Sequence, residues 1–238
     1  MIVIDSKGKE KIVSYKYRPV CDDNSNIDKN ETYERYGIRY VYNDAIDSVF
    51  IDILKSLTYI EFCPSFNNSI DNLPHNITSI VFSINSEFNQ PINNLPSCLQ
   101  HLELYDAFNQ PLDNLPYGLR KLIINADFNH SLDNLPASLE HLQIRGEFNH
   151  PLNNLPQALK TLEILDIYEY DGPKSCYPIQ RNYGKKTMFN HPLVNLPHTL
   201  EYLIITSTEY TQPLQNLPDS IKELKLHKKH PNYPGNCK

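Results

Sequence analysis

The sequence predicts a β-rich solenoid, a coil of stacked repeats with a parallel sheet along one face and irregular, extended returns along the other. Three observations predict it. A nine-residue phrase recurs at a fixed period, an L-x-x-L-x-L signature follows each copy, and prolines exclude helix from the segment between them.

The phrase is Phe88-Asn-Gln-Pro-Ile-Asn-Asn-Leu-Pro96, repeated from Phe108, Phe128 and Phe148, each start 20 residues after the last (108−88, 128−108, 148−128). An earlier copy begins at Phe66, and later ones begin at Phe189 and, degraded, at Tyr210. A period of this length is the mark of a stacked array, in which each unit buries its apolar face only against its neighbours.

The second signature reads Leu99, Leu102, Leu104 in one repeat and Leu119, Leu122, Ile124 in the next. It runs from Leu57, Ile60, Phe62 at one end to Ile221, Leu224, Leu226 at the other. Its final L-x-L alternates with period two, as a short strand with one buried face does. The two prolines of the Phe-Asn phrase lie five residues apart (96−91). Each removes a donor and pushes its predecessor to extended backbone, so this half is not helical.

The motif Phe-Asn-x-Pro-Leu-x-x-Leu-Pro with L-x-x-L-x-L resembles the FNIP repeat, a relative of the leucine-rich repeat, over roughly residues 57–226. The family is known mainly from social amoebae and from giant viruses that infect amoebae. The resemblance implies a leucine-rich-repeat-like right-handed coil that serves protein interaction, with no catalytic residues to transfer. Many members carry an N-terminal F-box, whose Leu-Pro followed by spaced Leu and Ile is not evident in residues 1–56. Leucine-rich repeats place an Asn three residues after the last Leu, where this chain has Ala107, Asp127 and Glu147. Any asparagine ladder must therefore be built differently.

Outside the repeats, Met1–Ile4 and Lys11–Tyr17 read as a hairpin, and residues 21–34 as a polar loop. Residues 43–54 place Ile46, Val49, Phe50, Ile53 and Leu54 on one helical face, suited to capping the first turn. Alternation of Val49, Ile51 and Ile53 leaves a degenerate strand as the other reading. Residues 1–56 thus form an N-terminal capping segment, 57–226 the solenoid and 227–238 a basic tail. Between Ile164 and Phe189 an insertion spans about residues 166–187 and carries Tyr168, Tyr170 and Tyr177. Insertions in solenoids fall on loops and often line the binding face, where tyrosine offers large contact area at low entropic cost. A loop without a role is the plainer alternative.

Composition narrows the function. The net charge of −6 argues against a phosphate-binding face, so nucleic acid is not expected as a partner. No leader or bilayer-spanning stretch is evident, so no membrane association is expected. Five scattered cysteines without a C-x-x-C pair fit reduced thiols in a cytoplasmic setting, the host cytoplasm if the source is viral.

The Asn columns (Asn89, Asn109, Asn129, Asn149, Asn190 and Asn94, Asn114, Asn134, Asn154, Asn195) suit side-chain amides bonding turn backbone. The column Gln90, Gln110, His130, His150, His191, Gln212 reads as a polar row, with no ligand set for a metal and no cofactor expected. No nucleophile–base spacing or phosphate loop occurs, so an enzyme is not expected.

The working surface is expected on the exposed sheet face. Its middle row would hold Glu61, Val81, Glu103, Ile123, Gln143, Glu163, Ile204 and Lys225. The neighbouring row would hold Tyr59, Ser79, His101, Lys121, His141, Thr161, Tyr202 and Glu223. Mixed charge with Ile123, Ile204 and Tyr202 exposed suits an unidentified protein partner, bound by a monomer. The alternatives are a structural component without a specific partner and a substrate adaptor of a ubiquitin ligase.

Overall fold

The computed structural model describes residues 2–4, 10–12, 37–40, 54–55, 57–166 and 187–227. Two short strands, β1 (Ile2–Ile4) and β2 (Glu10–Ile12), pair antiparallel as the expected hairpin, with the second strand starting at Glu10. Every other described strand belongs to one sheet. They are β3 (Gly37–Tyr40), β4 (Tyr59–Phe62), β5 (Ser79–Phe82), β6 (His101–Asp106) and β7 (Lys121–Ala126). The sheet continues through β8 (His141–Gly146), β9 (Thr161–Leu165), β10 (Tyr202–Ile205) and β11 (Glu223–Leu226).

These nine strands lie in chain order and all pair parallel, the topology of a leucine-rich-repeat-like β-solenoid. Register follows the repeat: Leu102, Leu122, Leu142 and Leu162 stand opposite one another, and Leu203 extends the row after the insertion. A one-residue slip would turn this whole row to solvent, which is why the period is kept so strictly. Strand β3 has no counterpart in the sequence reading, which began the sheet at Leu57. The expected capping helix, residues 43–54, lies outside the described residues except for Leu54, which is helical and fully buried.

Each Leu-Pro ends a return and opens a turn. The N–H of Leu99, Leu119, Leu139 and Leu200 donates at 3.0 Å to the C=O of Pro96, Pro116, Pro136 and Pro197. Proline has no N–H to satisfy and its carbonyl closes the turn, so the chain enters the next strand with few loose polar groups.

The returns have no sheet of their own, and two other systems tie them together. The first is a column of aromatic rings: Phe66, Phe88, Phe108, Phe128, Phe148, Phe189 and Tyr210 stack with centroids 5.8–6.4 Å apart. All seven are almost fully buried. Strands pair at about 4.8 Å, so the rungs are wider apart at the rings than at the sheet. Over a layer about 10 Å thick the difference opens each rung by roughly 7°. Adjacent ring planes in the column are inclined to one another by 7–19°. The solenoid therefore curves with its sheet on the inner side.

The second system is an asparagine ladder. Oδ1 of Asn67, Asn89, Asn109 and Asn129 accepts the backbone N–H of Asn89, Asn109, Asn129 and Asn149, at 2.9–3.0 Å. Asn190 does the same for Thr211. Each amide thus imitates a strand carbonyl, so the returns are hydrogen-bonded rung to rung without being strands. This ladder sits two residues beyond the slot that leucine-rich repeats use, where Ala107 and Asp127 instead donate backbone N–H groups to Ser86 and Asp106. The second column closes similarly, with Asn134 Nδ2 donating to Asp113 Oδ1 at 3.0 Å.

Strand ends carry their own constraint. Gly146 has φ +97°, and a Cβ there would stand 2.2 Å from the carbonyl oxygen of Ala126. At the corresponding site of the next rung, Asp166 is buried, and its Oδ1 and Oδ2 accept the N–H groups of Thr187 (2.9 Å) and Thr208 (2.8 Å). One carboxylate so pins both ends of the insertion and the following rung.

If the ring column couples the rungs, Phe128→Ala removes contact with both Phe108 and Phe148. A loss of about 3–5 kcal/mol is expected, read from the urea midpoint. A loss below about 1 kcal/mol would mean that the column is a passive filler.

Candidate interaction surface

Period-two alternation sends every second strand residue to the open side of the sheet, and the register lines these residues into rows. Pairing places Tyr59, Ser79, His101, Lys121, His141, Thr161, Tyr202 and Glu223 in one row, in the expected order. The neighbouring row is Glu61, Val81, Glu103, Ile123, Gln143, Glu163, Ile204 and Lys225. A third row, absent from the sequence reading, is formed by Tyr105, Asn125, Arg145 and Leu165. Its signal was present, because the alternation runs two residues past the last Leu or Ile of those repeats.

The face is less open than expected. Tyr59, His101, Glu103, Lys121, His141, Gln143, Glu163, Tyr202 and Ile204 are all half-buried, and Ile123 is only 8% exposed. Ile123 sits between Glu103 and Gln143 in the middle row, with larger polar chains on the rungs at either side. Strand spacing of about 4.8 Å forces these side chains together. Ile123 is therefore a floor for the polar groups, not an exposed apolar contact. Tyr168, Tyr170 and Tyr177 of the insertion lie outside the described residues.

At the centre the polar groups form a network. His101 Nε2 lies 2.7 Å from Glu103 Oε1, and His101 Nδ1 lies 3.3 Å from Ser79 Oγ. Tyr105 donates its hydroxyl to Glu103 Oε2 at 3.1 Å, and Gln143 Nε2 donates to Asn125 Oδ1 at 2.9 Å. Burial pushes the Glu103 carboxyl up, but His101, Lys121 and Tyr105 together outweigh it and hold the carboxyl below its ordinary range. Burial, then the charge and hydrogen bond of Glu103, push Tyr105 up. Burial lowers Arg145, and it raises Glu163 against the pull of Arg145, Lys121 and Lys225. His141 is pushed down to about 4 by burial, then by Lys121 and His101.

Ser79, His101 and Glu103 have the connectivity of a nucleophile–base–carboxylate relay. The backbone beside them is spent on the sheet, since the N–H groups of Ser79 and His101 donate to the carbonyls of Thr58 and Thr78. Those two amides are therefore not available as oxyanion donors. The network holds these side chains in fixed positions.

On the returns, the Gln and His column is absorbed by the scaffold. Gln110 Nε2 donates to Asn89 Oδ1 at 3.1 Å. His130, His150 and His191 place Nε2 within 2.9–3.1 Å of the carbonyl oxygens of Asn109, Asn129 and Asn149. Each imidazole also packs against the Phe ring of its own repeat. Among the described residues no group of three or more His, Cys, Asp or Glu is placed to hold a metal, and no helix is long and apolar enough to cross a membrane.

The repeat, the ladder and the register meet in a match to the FNIP Repeat family model over residues 66–106, 88–127, 108–146, 128–166 and 189–229. The chain belongs to the FNIP-repeat family. No curated protein matches this FNIP-repeat chain. Among solved structures it is similar to one described as the crystal structure of CroV588, a novel circular LRR protein, at 23% identity and a TM-score of 0.30. That similarity covers 84% of this chain and 41% of the other, so the FNIP-repeat chain spans about two-fifths of that protein's length.

His141 offers a pH test of the network. Its pKa is lower in the folded chain than the unfolded value of 6.5, so between those values the folded state binds fewer protons than the unfolded one. Stability is then full above pH about 6.5 and falls as the pH drops towards about 4. Urea midpoints across this window are expected to fall for the natural chain and to fall less for His141→Gln. Parallel losses would contradict the burial of that imidazole.

Proposed function

We propose that this FNIP-repeat chain is a non-catalytic scaffold that binds a protein through the inner, sheet face of its solenoid. The reading rests on one contrast. The core columns repeat almost without change, whereas the open rows differ at every rung, from Tyr59 and Ser79 through His101, Lys121 and His141 to Thr161 and Tyr202. Repetition serves stacking, and difference gives a partner something to select.

The chemistry of the face supports a protein ligand. Acidic Glu61, Glu103, Glu163 and Glu223 share the face with Lys121, Arg145 and Lys225, and Tyr59, Tyr105 and Tyr202 stand among them. An anionic polymer would meet as many carboxylates as cations, while a protein of mixed charge can match both. The groups are already held by neighbours, so binding would order few side chains.

Affinity capture with the full chain, followed by titration of the captured partner, tests the reading. The pair Lys121→Gln and Tyr202→Ala is expected to weaken binding tenfold or more, about 1.4 kcal/mol, with circular dichroism confirming that the variant is folded at the temperature of the titration. A partner bound equally well by both chains would place recognition elsewhere.

A further inference from the structure

Among the described residues the sheet ends at β11, and that rung is unlike the others. Leu224 continues the row of Leu102, Leu122, Leu142, Leu162 and Leu203, which are fully buried, yet it is 38% exposed. Behind it Ile221 is only partly buried, whereas Leu119, Leu139, Leu159 and Leu200 at the same place in earlier rungs are fully buried. Among the described residues no strand pairs with the outer edge of β11.

The edge has a defined polarity. The N–H groups of Glu223 and His227 donate to Glu201 O (3.1 Å) and Ile205 O (2.9 Å), so alternate residues starting from 223 turn their backbone groups inward. The N–H and C=O of Leu224 therefore point outward. Glu223 and Lys225 stand on the open face, where they form an ion pair of 2.8 Å. An exposed strand edge of this kind is a template for another strand.

We propose that this edge pairs with the same edge of a second copy of the chain, antiparallel, about a two-fold axis through Leu224. Three features of β11 fit that one register. An axis at Leu224 makes its outward N–H and C=O exchange both bonds with the other copy's Leu224, the close-paired arrangement of an antiparallel ladder. Residue numbers summing to 448 then face each other, so Glu223 of one copy meets Lys225 of the other on both sides of the axis. The two ion pairs join into a ring of four alternating charges. The exposed Leu224 side chains meet on the core side, and the half-covered Ile221 of each copy closes the end of the other. A two-fold contact is self-complementary by construction, and this strand carries one acid and one base at equal steps from its centre. The dimer departs from the monomer expected from the sequence.

A charge-swap series tests the register. Sedimentation of the full chain at about 100 μM, where a micromolar Kd leaves mostly dimer, is expected to show two copies per particle. Glu223→Lys and Lys225→Glu each oppose like charges twice and should be largely monomeric, with a loss of tenfold or more in association. An equimolar mixture of the two single variants should restore the dimer, as should the double variant carrying both changes. Circular dichroism of each variant separates loss of pairing from loss of fold. A monomeric natural chain, whether residues 228–238 or another protein take the edge, overturns the proposal. A dimer unchanged by either single variant overturns it too.

Discussion

Half of every rung in this solenoid is backbone with no strand beside it, and the side-chain amide of one asparagine makes that tolerable. Oδ1 of each Asn in the Phe-Asn pair accepts the N–H of the same position one rung on, at 2.9–3.0 Å along the unbroken repeats. The next Asn is thereby fixed at the correct height to accept from the rung after it. The adjoining Phe is held in the ring column by the same placement, and the strand that follows enters in register. These bonds lie on the exposed side of the returns, where each contributes about 0.5–1.5 kcal/mol, and because each rung positions the next a failure at one would be felt at its neighbours.

This division of labour explains where variation is permitted. Residues that bond or stack to the next rung are locked, because a change at one rung must suit two others. Residues on the open side of the sheet touch the next rung only through their side-chain tips, as Ser79 with His101 and Gln143 with Asn125 do, and there the chain changes its chemistry at nearly every step. The insertion obeys the same rule. It leaves after Asp166 and returns at Thr187, and the Asp166 carboxylate joins those two points to Thr208, so the stack closes beneath the extra chain.

Much of the architecture was legible because it is periodic. The strands from Tyr59 to Leu226, their parallel order, the core columns and the break after Ile164 follow from spacing alone, since one register buries every Leu at once. The amide ladder was legible as a column of Asn, but its offset from the usual leucine-rich slot depends on return geometry. Ile123 shows the limit on the surface: alternation places it on the open face, yet crowding by Glu103 and Gln143 hides it. The row of Tyr105, Asn125 and Arg145 was missed because strand length beyond the L-x-L is set by pairing between rungs. Strand β3, which lacks the L-x-x-L-x-L signature, and the dual role of Asp166 were missed because neither repeats. Partner identity is not periodic at all, and it lies in the side chains that the scaffold leaves free to differ.

Native-state hydrogen exchange at the amides of Asn89, Asn109, Asn129, Asn149 and Thr211 tests the central claim most directly, because each is bonded in the structure only through a side-chain oxygen of the previous rung. The account predicts protection comparable to that of strand amides such as His101 and Lys121, released only when the whole stack opens. Exchange at the rate of open surface loops, with the strands still protected, would contradict it and leave the sheet alone to carry the fold.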